Sequence, residues 1–400
     1  MKVTGYAYPW DVDEAFAARV RDLGVDEVAV ALSYHSARAA TPWSSSGTAV
    51  VARHAAFYRP VRPEVWQELC PSTPDWVDSD DSGGDAVRLL NAAGIPAAAW
   101  IVLTHNSQLG YANPELAVRN CFGEVYPWAL CPAQPAVQAY SATLTAQALD
   151  GLELSSVILE ACGPLGAVHQ HQHEKTDGVW APAVSRLLSI CCCAACAEGW
   201  GLDAEEVRSQ LRAEVQRLVA TGDLDVTEDE LPSSLTEVLL ATRQKATDAL
   251  RAAVLAEIAP GTRIVLHGAL DPWVTGALPG LTPAATDDVD AVVLFGWAPA
   301  VGADAVAAAR AALPEKVAIG SYITAVAAAP VPDIGEYVAE LGKAGAAELH
   351  LYHLGLAGPG RWPELQTATA VAHTVSSGVE PQTPPRGSAP WTPDAVANRS

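Results

Sequence analysis

The sequence predicts a (β/α)₈ barrel, a closed ring of eight parallel strands covered by helices. Short apolar runs recur to about residue 375, with helix-period stretches between them. Continuous apolar strands are typical of a parallel sheet that is buried on both faces, and eight strand–helix units close a barrel. The runs are KVTGYAY, EVAVALSY, PAAAWIVLT, SSVILEA, RIVLHGAL, DAVVLFGW, VAIGSYI and AELHLYHLGL. A doubly wound open sheet is the alternative, but no glycine-rich nucleotide-binding turn follows the first run.

Helices are predicted between these runs from apolar positions that recur with the helical period. The clearest of them cover residues 13–23, 84–93, 303–313 and 333–343. Two segments are longer than a minimal barrel needs. Residues 36–83 follow the second run, and residues about 164–258 follow the fourth.

The segment after the fourth run is interpreted as a helical insertion, with helices at 203–220 and 235–258. Its charged outer faces indicate a surface exposed to solvent or to another subunit, and a substrate lid is the alternative. The barrel domain is expected to span residues 1–376. Residues 377–400 are rich in Pro, Ser and Gly and are predicted to form a disordered tail.

The charge balance excludes several classes of partner. Lys and Arg number 24 against 46 Asp and Glu, which gives a net charge of −22, and this charge repels nucleic acid and anionic membranes. No apolar run reaches the roughly 18 residues of a membrane span. The N-terminus lacks the apolar stretch of a signal peptide, so we expect a cytoplasmic protein with a small-molecule partner, and homo-oligomerisation stays open.

The predicted strand ends carry the candidate binding residues, because catalytic groups of such barrels lie at the C-terminal ends of strands. Aromatic rings beside hydroxyl and charged groups suit a sugar, whose CH faces stack on rings while its hydroxyls need polar partners. The predicted substrate-binding residues are Tyr8, Trp10, Asp11, His35, His105, Asn106, His267, Trp297, Tyr322, His350 and Tyr352. His267, His350 and Tyr322 have the alternative of filling barrel layers.

Glu160 is the sharpest candidate for catalysis. It ends the apolar run VILE, where burial is expected to raise its pKa and keep it protonated as a general acid. A second carboxylate is needed to act on the anomeric centre, and Asp11, Glu174 and Asp271 are the candidates. The alternative is that Glu160 pairs with an arginine or histidine and has no catalytic role.

A histidine-rich segment follows the fourth run. His169, His171 and His173 alternate in AVHQHQHEKT, so in an extended chain their side chains point the same way. We expect them to contact substrate. Three histidines can also hold a catalytic zinc, and a surface loop without a role is the third interpretation.

Four cysteines predict a structural zinc site. Cys191, Cys193 and Cys196 lie in one short segment, and Cys131 lies after the third run, in a loop that neighbours the fourth. Four thiolates close a tetrahedral site and leave no open coordination position. Buried small thiols in an Ala-rich helix are the alternative.

These residues resemble the catalytic barrel of glycoside hydrolase family 42, the zinc-containing β-galactosidases, over about residues 95–200. The matching pieces are the Cys131-Pro132 segment, Glu160 and the Cys-x-Cys-x-x-Cys segment. The resemblance implies an acid/base Glu160 and a structural zinc. Leu159 stands where the family has Asn, and AIGSYITA ends without the family's nucleophilic Glu.

The sequence therefore predicts a glycoside hydrolase with Glu160 as general acid/base. A metal-dependent enzyme that acts on a sugar or polyol through His169, His171 and His173 is the second hypothesis. A catalytically silent sugar-binding barrel is the third.

Overall fold

The computed structural model describes residues 1–168, 175–176, 178–326 and 331–375. Within these residues, eight parallel strands form a closed barrel, which confirms the predicted (β/α)₈ fold. The strand β1 pairs with both β2 and β8, and this double pairing closes the ring. The strands are β1 Lys2–Ala7, β2 Glu27–Tyr34, β3 Ala97–Val102, β4 Ser156–Glu160, β5 Arg263–His267, β6 Ala291–Phe295, β7 Ala318–Thr324 and β8 Glu348–Tyr352.

The helices lie between the strands along the chain and pack around the outside of the ring. In the described residues they are α1 Glu14–Leu23, α2 Ser82–Ala92, α3 Ser107–Ala112, α4 Pro135–Leu149, α5 Pro182–Leu188, α6 Ala194–Trp200, α7 Ala204–Thr221, α8 Ser233–Leu255, α9 Ala285–Asp288, α10 Pro299–Ala312, α11 Ile334–Lys343 and α12 Trp362–Thr374. Two small antiparallel pairs decorate the loops after β2 and β3, Ala37–Ala40 with Ala49–Ala52 and Ala117–Arg119 with Val125–Leu130.

Strand alternation divides the apolar side chains into two cores. Successive side chains of a strand point to opposite faces, so Val3 and Ala7 of β1 face the helices while Tyr6 faces the barrel interior. The same alternation in β4 sends Val157 and Leu159 outward and Ile158 inward. Glu160, two residues after Ile158, therefore points into the barrel.

The lower end of the barrel is closed by a buried carboxylate network. Glu27 accepts hydrogen bonds from Thr4 and Ser155, and Lys2 Nζ lies 2.8 Å from its Oε1. Burial raises the pKa of Glu27, but the charge and hydrogen bond of Lys2 and the two hydroxyls outweigh it, so the pKa lies below its ordinary value. The opposite, C-terminal end is the one at which barrels of this fold carry their catalytic groups.

The segment between β4 and β5 is docked onto the barrel. It contains α7 and α8, close to the predicted ranges 203–220 and 235–258. Arg243 of α8 donates to the backbone oxygens of Pro272, Trp273 and Val274 in the loop after β5. The predicted tail, 377–400, lies outside the described residues. No helix in the described ranges combines the length and apolarity that a bilayer crossing requires.

Candidate active site and metal centre

Glu160 lies at the C-terminal end of β4 and is only 4% exposed. Trp100 of β3 donates its Nε1–H to Glu160 Oε2 at 2.8 Å, and Nδ1 of His267 lies 3.4 Å from the same oxygen. Only the Trp100 contact is a hydrogen bond, since Nδ1 of His267 is buried without a hydrogen-bond partner in the described part of the chain. Among the described residues no hydrogen bond reaches Oε1, which leaves that oxygen for a ligand.

The expectation of a raised pKa for Glu160 is wrong. Burial does raise its pKa, but the proximity of His267, the charge of His35 and the indole N–H of Trp100 together outweigh burial. The pKa therefore lies below its ordinary value, and the resting side chain is an ionised carboxylate. The strand pattern revealed the burial of Glu160 but not the histidine that β5 brings beside it.

His267 and His350 lie beneath the mouth, inside the barrel. The Tyr6 hydroxyl lies 2.8 Å from Nε2 of His267 and 3.0 Å from Nδ1 of His350, and Nε2 of His350 lies 3.1 Å from Glu348 Oε2. Both rings are fully buried, and their nitrogens face protein groups. Both histidines were predicted to bind substrate. In the structure His267 lies beside Glu160, and His350 reaches His267 only through the Tyr6 hydroxyl.

Aromatic rings wall the mouth above Glu160. Trp10 stacks on Tyr8 with ring centroids 4.5 Å apart, and Trp297 lies 5.1 Å from Tyr352, whose ring contacts Tyr322 at 5.4 Å. The indole nitrogens of Trp10 and Trp297 are buried without a hydrogen-bond partner among the described residues. Each can donate an N–H to a ligand oxygen, as the predicted binding role requires.

Three further predicted binding residues follow the ends of β2 and β3. His35 stacks on Tyr34, with centroids 4.2 Å apart, and also contacts His105 at 4.3 Å. Asn106 has a structural duty, because its Oδ1 accepts the backbone N–H of Leu109 and caps α3. The histidines thus extend the aromatic wall.

Asp11 is a second buried carboxyl group. Its side chain is 6% exposed, and Oδ2 lies 3.8 Å from His353 Nδ1 with no hydrogen-bond partner among the described residues. Burial raises the pKa of Asp11 to about 7, although the backbone of Tyr8 and the charge of Arg19 lower it. Burial also lowers the pKa of His353 to about 3, so this ring is neutral and brings no balancing charge.

The chain packs tightly over Asp11. Gly355, in the loop after β8, lies so close that a Cβ there would fall 2.0 Å from Asp11 Oδ2. A side chain at this position would force the Asp11 carboxyl group to shift. The close approach of Gly355 is part of the burial that raises the pKa of Asp11.

The remaining catalytic candidates differ in placement. Asp271 is exposed, and its Oδ1 accepts the backbone N–H of Trp273 at 2.9 Å, so it forms a turn after β5. Glu174 lies outside the described residues, as do His169, His171 and His173.

The four predicted cysteine ligands come together. The sulfurs of Cys131, Cys191, Cys193 and Cys196 all lie within 4.8 Å of one another. Cys131 is 3.6 Å from Cys196 and 3.7 Å from Cys193. Tetrahedral zinc with bonds of about 2.3 Å separates its sulfurs by about 3.8 Å, so the donor set and its spacing fit zinc.

The thiols of the cluster also contact one another and a neighbouring amide. Gln134 directs Nε2 at the sulfur of Cys193 from 3.6 Å. Hydrogen bonds among the thiols lower the pKa of Cys193 but raise the pKa values of Cys131 and Cys196. Cys192 lies in the same segment but turns away, and its thiol donates to the Ile190 carbonyl.

Three residues of the site were missed by sequence reasoning. Trp100 lies inside β3 and Glu348 begins β8, whereas binding residues were predicted only at the C-terminal ends of strands. Tyr6, the penultimate residue of β1, was not among the predicted binding residues. One signal was available, because Glu348, His350 and Tyr352 alternate along β8 and must share its inward face.

Comparisons with known proteins agree at the level of the fold. No family model matches the chain, and no curated protein matches it. It is similar to an α-L-fucosidase from Paenibacillus thiaminolyticus (10% identity, TM-score 0.53) over 93% of this chain and 49% of that one. The catalytic domain of a Paenibacillus polymyxa β-amylase matches at 10% identity and TM-score 0.55, over 94% and 98%.

A third similar structure is a β-galactosidase from Marinomonas ef1, at 13% identity and TM-score 0.53, over 93% of this chain and 59% of that one. The chain therefore spans about half the fucosidase and three-fifths of the galactosidase. These likenesses show a barrel like those of glycoside hydrolases. They do not single out family 42.

The raised pKa of Asp11 predicts a pH-dependent stability difference between the protein and its Asp11→Asn variant. The folded protein binds this proton more tightly than the unfolded chain, so wild type loses stability relative to the variant as the pH rises from about 4 to 7. The loss has an upper limit of about 4 kcal/mol. Urea unfolding at pH 4, 5.5, 7 and 8 measures it, and a difference that stays constant with pH contradicts the prediction.

Proposed function

We propose that the protein hydrolyses a glycosidic bond of a small carbohydrate at the barrel mouth, with Glu160 as its central carboxylate. One observation carries this proposal. Trp100 donates a hydrogen bond to Oε2 of Glu160, Nδ1 of His267 lies 3.4 Å from the same oxygen, and no described residue hydrogen-bonds Oε1. The carboxylate lies at the strand end where barrels of this fold hold their catalytic groups.

The walls of the mouth support a sugar as the ligand. Stacked rings offer apolar faces for sugar CH groups, and the unpaired indole N–H groups of Trp10 and Trp297 offer donors for sugar oxygens. The resemblance of Glu160 and the four cysteines to the corresponding residues of glycoside hydrolase family 42 also supports this proposal.

We propose different roles for Asp11 and Glu160 on the basis of their electrostatics. Glycoside hydrolysis needs one carboxyl group to protonate the leaving oxygen and another to act as nucleophile or base. Environments that push two pKa values apart separate these roles. Asp11, with a pKa of about 7, suits the acid, and ionised Glu160 suits the base or nucleophile. Glu160 thus keeps a place in the acid/base pair, but not as the resting acid.

Leaving-group chemistry tests these roles. We expect Asp11→Asn and Glu160→Gln each to lower turnover of an alkyl glycoside by roughly 10²- to 10⁴-fold. A nitrophenyl glycoside needs little protonation, so Asp11→Asn should recover much of its activity on it. Glu160→Gln should stay inactive, because an amide is neither nucleophile nor base. Initial rates over a panel of alkyl and nitrophenyl glycosides measure both effects.

The matched control is Glu153→Gln, an exposed carboxylate before β4 at the opposite end of the barrel, which should retain wild-type rates. Recovery of Glu160→Gln but not of Asp11→Asn would exchange the two roles. Wild-type rates in Glu160→Gln would remove Glu160 from the reaction. Sugar binding without hydrolysis of any substrate would favour the catalytically silent barrel.

We also propose that the cysteine cluster binds one structural zinc ion. Cys131 follows the strand Val125–Leu130, whereas Cys191, Cys193 and Cys196 lie around the start of α6. The metal would join the loop after β3 to the insertion after β4. Four sulfur ligands leave no position for substrate, so zinc would stabilise the fold around the mouth and take no part in the reaction.

Cysteine variants test the zinc proposal. Cys193→Ser should lose the zinc and lower the melting temperature, because three sulfurs and a hydroxyl hold zinc poorly and metal binding contributes folding free energy. Cys192→Ser is the matched control, since a serine hydroxyl can also donate to the Ile190 carbonyl, and it should keep the metal. Elemental analysis and thermal unfolding measure both. Metal-free wild-type protein, purified without chelators, would refute the site.

A further inference from the structure

The backbone turns sharply at Ala161, the residue that follows Glu160 at the end of β4. Its φ is +51°, and among the described residues Ala161 is the only residue other than glycine with a positive φ. This left-handed conformation brings the Cβ of an L-residue close to the following carbonyl oxygen, so alanine adopts it at a steric cost. Such strain persists only where the surrounding structure holds it, and it is concentrated at functional sites.

The turn changes the direction of the Ala161 side chain. Along β4 the side chains of Ile158 and Glu160 point into the barrel, and regular alternation would send the next side chain to the outer face. Instead Ala161 is buried, with 1% of its surface exposed, in the same inner cluster as Ile158 and Trp100. The strand therefore ends at Glu160, which is the last residue of β4 that pairs with β3.

Thr104 holds the turn from just beyond the end of β3. Its hydroxyl lies 2.8 Å from the carbonyl oxygens of both Ala161 and Gly163, and its one hydrogen can serve either of them. The backbone N–H of Thr104 also donates to the Ala161 oxygen, at 3.4 Å. The Thr104 side chain is fully buried, so bulk water does not offer these oxygens a ready substitute for its hydroxyl.

The loop after β5 holds the other side of the turn. The ladder between β4 and β5 ends at the pair Leu159 and Leu266, one residue before Glu160. The backbone N–H of Ala161 donates instead to the carbonyl oxygen of Ala277, at 2.8 Å. The chain that leaves Glu160 is thus fastened on both sides, to the end of β3 and to the β5 loop.

We propose that Thr104 and Ala161 are positioning residues that fix the backbone of Glu160 for the reaction. The Glu160 side chain has several rotatable bonds, so its carboxylate is placed accurately only if the backbone that carries it is fixed. The indole N–H of Trp100 then meets Oε2 at 2.8 Å, and Oε1 is presented to the substrate. This role rests on the proposed function, because it takes Glu160 to be the reacting carboxylate.

Thr104→Val tests the proposal, because valine keeps the branched shape of the side chain and lacks the hydroxyl. We expect kcat on a glycoside substrate to fall by about 10- to 100-fold, since a small displacement of a reacting group has a cost of this order. KM should change little, because the aromatic walls that bind the sugar stay intact. Thr104→Ser keeps a hydroxyl and should recover most of the loss.

The indole N–H of Trp100 gives a second readout that needs no substrate. Its ¹H–¹⁵N NMR signal, assigned with Trp100→Phe, reports the hydrogen bond to Glu160. We expect the proton signal to move upfield in Thr104→Val and to keep its wild-type position in Thr104→Ser. Thr145→Val is the matched control, since this equally buried hydroxyl donates to the Ser141 carbonyl oxygen within α4. It should leave both kcat and the Trp100 signal unchanged.

Hydrogen exchange of the wild-type protein covers the case in which Thr104→Val does not fold. The Ala161 amide should exchange as slowly as the amides of β4, and exchange as fast as in an exposed loop would overturn the proposal. A wild-type kcat or an unmoved Trp100 signal in folded Thr104→Val would also overturn it. If the wild-type protein hydrolyses no glycoside, the proposed function fails, while amide exchange and the Trp100 signal still decide whether the turn fixes Glu160.

Discussion

The structure around the barrel mouth depends on the burial of one ionised carboxylate. Removing such a group from water costs several kcal/mol unless donors replace the lost hydration. Trp100 of β3 donates a hydrogen bond to Glu160, and His267 of β5 lies 3.4 Å from the same oxygen. His267 in turn contacts Tyr6 of β1, which contacts His350 of β8. The surroundings of this one carboxylate therefore involve inward side chains of five of the eight strands.

The sequence predicted the strands and the position of Glu160 but not the side-chain contacts between strands. Apolar runs located the strands, and the end of one run located Glu160. The partners lie on other strands, and strand register decides which of them meet. Leu266 pairs with Leu159 across β5 and β4, which sets His267 beside Glu160. No local pattern carries that register, so the direction of the pKa shift of Glu160 was predicted wrongly.

The cysteine cluster could be predicted from short sequence segments, whereas the surroundings of Asp11 depend on a contact between distant parts of the chain. Four cysteines in two neighbouring loops were recognisable as a ligand set because their residue type and spacing are specific. Asp11 was one of three equal candidates, since the packing of Gly355 against it comes from the far end of the chain. The proposed zinc would hold the loop after β3 against the insertion, and the mouth would form between these fixed parts.

Sugar binding at Glu160 between the aromatic walls can be observed in a crystal structure with a bound monosaccharide or iminosugar. We expect the anomeric position of the ligand to lie within about 3.5 Å of Glu160 Oε1, the distance of a reacting pair, with Trp10 or Trp297 against the sugar. A sugar bound away from Glu160, with the carboxylate still enclosed by protein, would contradict the account.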